Sequence, residues 1–229
     1  MTSCTKKLIP SMMKISMLGH EPNIVFEHAD FWIVEKPIGW TVQRDDNAPS
    51  ILEWLKSSFN QSALPVHRLD KPTSGLLIVA KNDLGNRALS TAFAQRKIKK
   101  TYVAVSDIKP KKKQGWVKGD MAQSRRSQWK LMRTVENPAI TQFESHALVD
   151  GKRVFVLYPT TGKTHQLRVA MRSLGSPILG DELYGGHPAE RMYLHAWRIQ
   201  FEYEGQAMEF ESTPSGLWFD KYFSQIKEG

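Results

Sequence analysis

Cysteine is nearly absent: Cys4 is the only one in 229 residues. That excludes an internal disulfide and any thiolate metal cage. The seven histidines contain no His-x-x-x-His pair, so a helical zinc site is not expected, nor a zinc-dependent base deaminase. No Gly-x-Gly-x-x-Gly or P-loop stretch occurs, which argues against nucleotide-cofactor enzymes. Apolar runs are short, well below the roughly 18 residues that span a bilayer. Residues 1–20, MTSCTKKLIPSMMKISMLGH, have lysines but neither a long apolar core nor a small-residue cleavage site. They are expected to form a flexible extension ahead of a single domain over 21–229. The expected compartment is the cytoplasm, and the expected state a monomer.

What is present is an ordinary globular composition, 41% hydrophobic and 24% charged. The formal net charge is +9, and it is unevenly placed. Between Arg96 and Arg133 stand 13 Lys or Arg against Asp107 and Asp120 alone, a local balance of +11, so the remainder sums to −2. Such concentration suits a phosphate backbone. A solvated loop fits it equally, and charge alone does not choose.

The hydrophobic pattern predicts strands at Phe31–Val34, Gly75–Ala80, Thr101–Val105, Val154–Tyr158 and Tyr193–Tyr203. Ser50, with Glu53 three residues on, marks a helix start ahead of Ile51, Leu52, Trp54, Leu55 and Phe59. Asn82 or Asp83 opens a second helix with Leu84, Ala88, Leu89, Ala92 and Phe93 on one face. On a third, Leu167, Ala170, Met171 and Leu174 make a core stripe, with His165, Arg168 and Arg172 opposite; Gly175 and Pro177 stop it. Many strands and few helices without strict alternation predict an α+β fold around a largely antiparallel sheet flanked by helices and loops.

The stretch richest in chemistry is Pro65-Val66-His67-Arg68-Leu69-Asp70-Lys71-Pro72-Thr73-Ser74-Gly75. A turn places Asp70 on a loop that leads into an apolar strand, where functional residues often sit. Arg68 and Lys71 would keep its carboxylate ionised as a nucleophile or base. By the residues alone, a surface turn with a local salt bridge remains as good a reading.

His67 to Asn82, HRLDKPTSGLLIVAKN, resembles the signature of the RluA-type pseudouridine synthases, His-Arg-Leu-Asp followed by a Ser-Gly turn and a hydrophobic strand. Other segments resemble that family in its order: Glu35 to Trp40, Lys100 to Ala104, Thr161 to Arg168, Ser176 to Asp181 and Tyr193 to Ala196. The resemblance spans roughly residues 30–210. It implies a pseudouridine synthase fold over 21–229 and an RNA partner, ribosomal or transfer RNA. The implied reaction breaks the bond from N1 of uracil to ribose, rotates the base and reattaches it through its 5-position, with no cofactor and no metal.

By the same resemblance Asp70 is the catalytic aspartate, Arg168 its arginine partner and Tyr102 the tyrosine that stacks on the base. Arg68 corresponds to the residue that helps displace the uridine from its stack; a plain phosphate contact is the alternative. His67 and His165 stand as hydrogen-bonding partners near substrate. Lys36 either touches RNA or caps a strand. Lys163 stands where the family more often has arginine, keeping charge but losing the bidentate fork, and Ala170 where histidine is usual. The roughly 20 residues ahead of the domain are too few for the accessory RNA-binding domain of many relatives. An inactive RNA-binding module is the rival from another class, and the presence of Asp70, Tyr102 and Arg168 disfavours it. A two-carboxylate glycosidase is disfavoured because no second carboxylate with a motif is visible near Asp70.

Overall fold

The computed structural model describes residues 21–125 and 127–227. The expected extension over 1–20 lies outside them. The strands are β1 (Asn23–Glu27), β2 (Phe31–Lys36), β3 (Leu64–Pro65), β4 (Ser74–Ala80), β5 (Lys99–Ser106), β6 (Gln114–Gly119), β7 (Met121–Gln123), β8 (Trp129–Leu131), β9 (Ala139–Ala147), β10 (Arg153–Pro159), β11 (Leu194–Tyr203) and β12 (Gln206–Glu211). The helices are α1 (Ile51–Phe59), α2 (Asp83–Ala94), α3 (Gln166–Ser173) and α4 (Leu217–Lys227), with a 3-10 turn at Glu182–Tyr184.

One sheet of ten strands organises the molecule, in the order β1-β2-β4-β11-β5-β10-β9-β6, with β3 on β4 and β12 on β11; β7 and β8 form a separate hairpin. Every pairing is antiparallel except β4 with β11. The α+β reading of the sequence therefore holds. The parallel seam is short, pairing His195 with Ser74 and Ala196 with Gly75. Gly75 is required there: its φ is +109°, and a Cβ would lie 2.3 Å from the Ala196 carbonyl oxygen.

The continuous apolar run of β4 follows from cover on both faces. Leu77 and Val79 join Trp32 and Val34 of β2 in a core with Ile51 and Leu55 of α1, whereas Leu76 and Ile78 join Phe31 and Ile33 against Leu89 of α2. Ser50 Oγ accepts from the Glu53 N–H and caps α1. Asn82 caps α2 by accepting from Gly85. The buried face of α2 differs from expectation, because Leu84 and Ala88 are exposed. Gly85 packs so tightly on the Asp30 carbonyl that a Cβ would come within 2.3 Å of its oxygen. This turns the stripe of Gly85, Leu89, Ala92 and Phe93 onto the sheet.

In α3 every residue from Gln166 to Met171 is buried, and of His165, Arg168 and Arg172, opposite the core stripe, only Arg172 is exposed. The helix packs against β8, β9 and the 3-10 turn. Arg168 is buried by this cover.

Candidate active site

The loop carrying Asp70 is fastened from behind. Lys36 is fully buried, and its ammonium donates to the carbonyls of Pro37 (2.9 Å), Trp40 (2.8 Å) and Lys71 (3.3 Å). Burial pulls its pKa to about 7, against the opposing charge of Asp70. Lys36 therefore ties down the backbone next to Asp70 and lines neither cavity around that residue. At the other end of the loop Arg191 donates to Ser74 Oγ at 2.6 Å. Ser74 Oγ lies 2.8 Å from His195 Nδ1, and His195 Nε2 donates to the Ser212 carbonyl. Burial holds His195 neutral, near 3, so its Nδ1 is free to accept from Ser74.

Asp70 itself opens to solvent, with a fifth of its side chain exposed. It sits where two cavities meet, one of about 510 Å³ against β5 and the 160–163 loop, the other of about 340 Å³ against residues 41–45. Arg68, His165 and Arg168 border both. Arg68 is exposed at this shared rim.

Arg168 reaches Asp70 less closely than the sequence suggested. Its Nη1 is 3.6 Å from Asp70 Oδ2, an ion pair without a hydrogen bond. Its Nε and Nη2 instead grip both oxygens of Asp181, at 2.8 and 2.6 Å. Asp181 is 1% exposed. Burial works against the arginine charge, but the bonds and charge of Asp181, with that of Asp70, outweigh it and hold the pKa above its ordinary value. A second carboxylate is thus close to Asp70, which corrects the sequence reading. Both its oxygens are occupied, however, so it is a fixed counter-charge rather than a free acid or base.

His165 completes the cluster. It adopts a left-handed conformation, φ 56°, at the start of α3, which swings its ring toward the loop. Nε2 stands 3.9 Å from Asp70 Oδ2 and Nδ1 2.8 Å from the Tyr184 hydroxyl. That hydroxyl also accepts from the Trp129 N–H of the β7–β8 hairpin, and its ring carries the Arg168 guanidinium at 4.9 Å. Burial lowers the His165 pKa, with Asp70 opposing.

Tyr102 comes from the sheet. It pairs with Ala196, which pairs with Gly75, so it stands in one row across the seam from the Asp70 loop. Its phenol is buried and raised well above the ordinary value, by burial and then by Asp70, and stays neutral. His67 lines the same cavity and accepts from the Ile78 N–H through Nε2 at 2.9 Å. Burial, then the Lys100 charge, holds it near 3. Lys163, also on the wall, donates to Asn137 Oδ1. The structure thus brings seven of the eight sequence-derived residues to one cavity, with Lys36 behind it. Asp181, Tyr184 and Lys100 were missed. Asp181 was visible as the end of a recognised segment but carried no sign of its partner thirteen residues upstream. Among the described residues no group of three or more His, Cys, Asp or Glu is placed to hold a metal ion, and no helix is long and apolar enough to cross a membrane.

Comparison with known proteins identifies the family. The family model described as RNA pseudouridylate synthase matches residues 30–173. An RNA pseudouridine synthase of Haemophilus influenzae is 48% identical over 85% of this chain and 88% of its own length. The dual-specificity RNA pseudouridine synthase RluA of Escherichia coli is 33% identical over 82% and 91%. Among solved structures, the human protein named RNA pseudouridylate synthase domain containing 1 superposes with a TM-score of 0.72 at 25% identity, over 85% of this chain and 84% of its own. With the motifs in order, the sheet shared and the coverage nearly full, the chain belongs to the RluA-type family of RNA pseudouridine synthases, which are isomerases.

Proposed function

We propose that this isomerase converts a uridine of ribosomal or transfer RNA to pseudouridine with Asp70 as its catalytic carboxylate and without a cofactor. The observation that carries the assignment is the contrast between the two aspartates on Arg168. Asp181 is sealed and doubly bonded, whereas Asp70 faces the cavities with no hydrogen bond on its carboxylate among the described residues. A carboxylate placed beside a guanidinium but left unbonded can engage substrate. Tyr102, neutral and apolar-faced, supplies a stacking surface for the base, and Arg68 at the rim supplies a cation where an RNA strand would give up its nucleotide. Arg168 and His165 flank the carboxylate and hold its position.

Asp70→Asn is expected to abolish pseudouridine formation while RNA affinity stays within about threefold, since the substitution removes charge but little volume. Mapping pseudouridines in cells with and without the gene identifies the uridine. Turnover of that RNA by the Asn variant at the wild-type rate would overturn the assignment.

A further inference from the structure

Lys36 and Lys100 are both withdrawn from water, but they end differently. Lys36 meets three carbonyl oxygens, one for each N–H of an ammonium. Lys100, two residues before Tyr102 and on the same face of β5, has neither ion pair nor hydrogen bond among the described residues. Its Nζ lies over the Phe93 ring at 5.6 Å. Opposite is Gly162, where a Cβ would still stand 3.9 Å from that nitrogen, so the missing side chain leaves room between strand and loop. Burial alone pushes the Lys100 pKa down. The cavity it lines also holds Arg68, Arg96 and Lys163, and its one acid is Asp70, already facing Arg168 and His165. Holding an unpartnered ammonium among other cations is unfavourable unless an anion enters.

RNA brings one anion per nucleotide, and Lys100 stands about 7 Å along the strand from Tyr102, comparable to the span from a base to its own phosphate. We propose that Lys100 binds the phosphodiester adjoining the target uridine, so that this wall of the cavity is a phosphate subsite beside Asp70 and Tyr102. The proposal rests on the reading of the Asp70 cavity as the uridine site.

The test uses RNA oligonucleotides built around the mapped uridine, with an uncharged methylphosphonate at its 5′ or its 3′ phosphodiester. For the wild type, one of these replacements should weaken binding by about 10- to 100-fold, the range of a charge-assisted hydrogen bond. Lys100→Met should weaken binding of unmodified RNA by a similar factor and no longer distinguish it from the methylphosphonate form. Lys100→Arg, which keeps the cation, should restore the distinction. If the losses from Lys100→Met and methylphosphonate add, the ammonium is not on that phosphate. If Lys100→Met leaves affinity intact and cuts the single-turnover rate at saturating RNA, it acts on the base, and the proposal is wrong. Neither result touches the cavity reading, which fails separately if Asp70→Asn remains active.

Discussion

β5 joins two regions that the charge count treats as one. At its start, Lys100 and Tyr102 face the cavity of Asp70; past its end, Lys111, Lys112 and Lys113 stand exposed. The register separates them: Tyr102 is level with Leu157 and Phe143, whereas the Lys113 carbonyl accepts from Ser145, level with Phe155 and Ala104. Lys113 is thus two residues along and three strands across the sheet from Tyr102, just ahead of the edge strand β6. At the cavity, His165 and Arg168 have pKa values shifted by burial and by their neighbours' charges; among the described residues the exposed lysines have no ion pair. The first region should answer to mutation and pH, the second to salt.

The largest expected effect comes from cutting the cavity cluster at its centre. Arg168→Met leaves Asp181 buried without a partner and Asp70 without its cation. Breaking a buried pair in this way costs about 3–5 kcal/mol, read as a lower urea midpoint, and single-turnover rate should fall sharply as well. Asp181→Asn is the sharper control: it should lose stability while keeping more activity, because Arg168 still faces Asp70. Normal rates in Arg168→Met would show that the cluster is a structural clasp only.

An intermediate effect follows from the two neutral histidines. His67 and His195 are held near 3 in the fold by burial, against an ordinary value near 6.5. Between those limits the unfolded chain binds protons that the folded one refuses, so stability falls as pH drops through 6.5 toward 3 and is unaffected by these groups above that window. Each adds up to about 1.4 kcal/mol per pH unit to the slope. Urea midpoints between pH 7.5 and 4.5, above the range where most carboxylates titrate, check this. A flat profile would mean that these rings take up protons freely in the folded protein.

The cavity was legible in the sequence where chemistry is local. The Asp70 turn precedes the apolar run of β4, and helix periodicity located α3. What periodicity could not supply was the environment of each face. Arg168 falls on the polar side of α3, yet that side meets Asp181 and Tyr184, brought there by the 3-10 turn after the helix stop. Lys36 read as either an RNA contact or a strand cap because nothing in the sequence shows the Trp40 and Lys71 carbonyls converging on it. β9 escaped notice because its inward residues, Ala139, Thr141, Phe143 and Ser145, mix small polar with apolar side chains and blur the period-two signal.

The smallest effect is expected at the exposed end. Lys111, Lys112 and Lys113 changed together to Gln should leave single-turnover chemistry at saturating RNA nearly normal, since they line neither cavity at Asp70. If RNA continues past the cavity along the sheet, the loop meets its backbone, and affinity falls through lost counterion release. The slope of log affinity against log salt should then flatten by about 0.7–0.9 for each phosphate contact removed. Because such contacts hold ground and transition states alike, KM should rise more than kcat falls. Lys100→Met provides the internal contrast, with its loss of affinity tied to one phosphodiester beside the uridine rather than to RNA at large. An unchanged salt slope would make the loop a solvated turn. A collapse of saturated chemistry would mean that the two ends of β5 are coupled through the sheet, and that the division between them is mistaken.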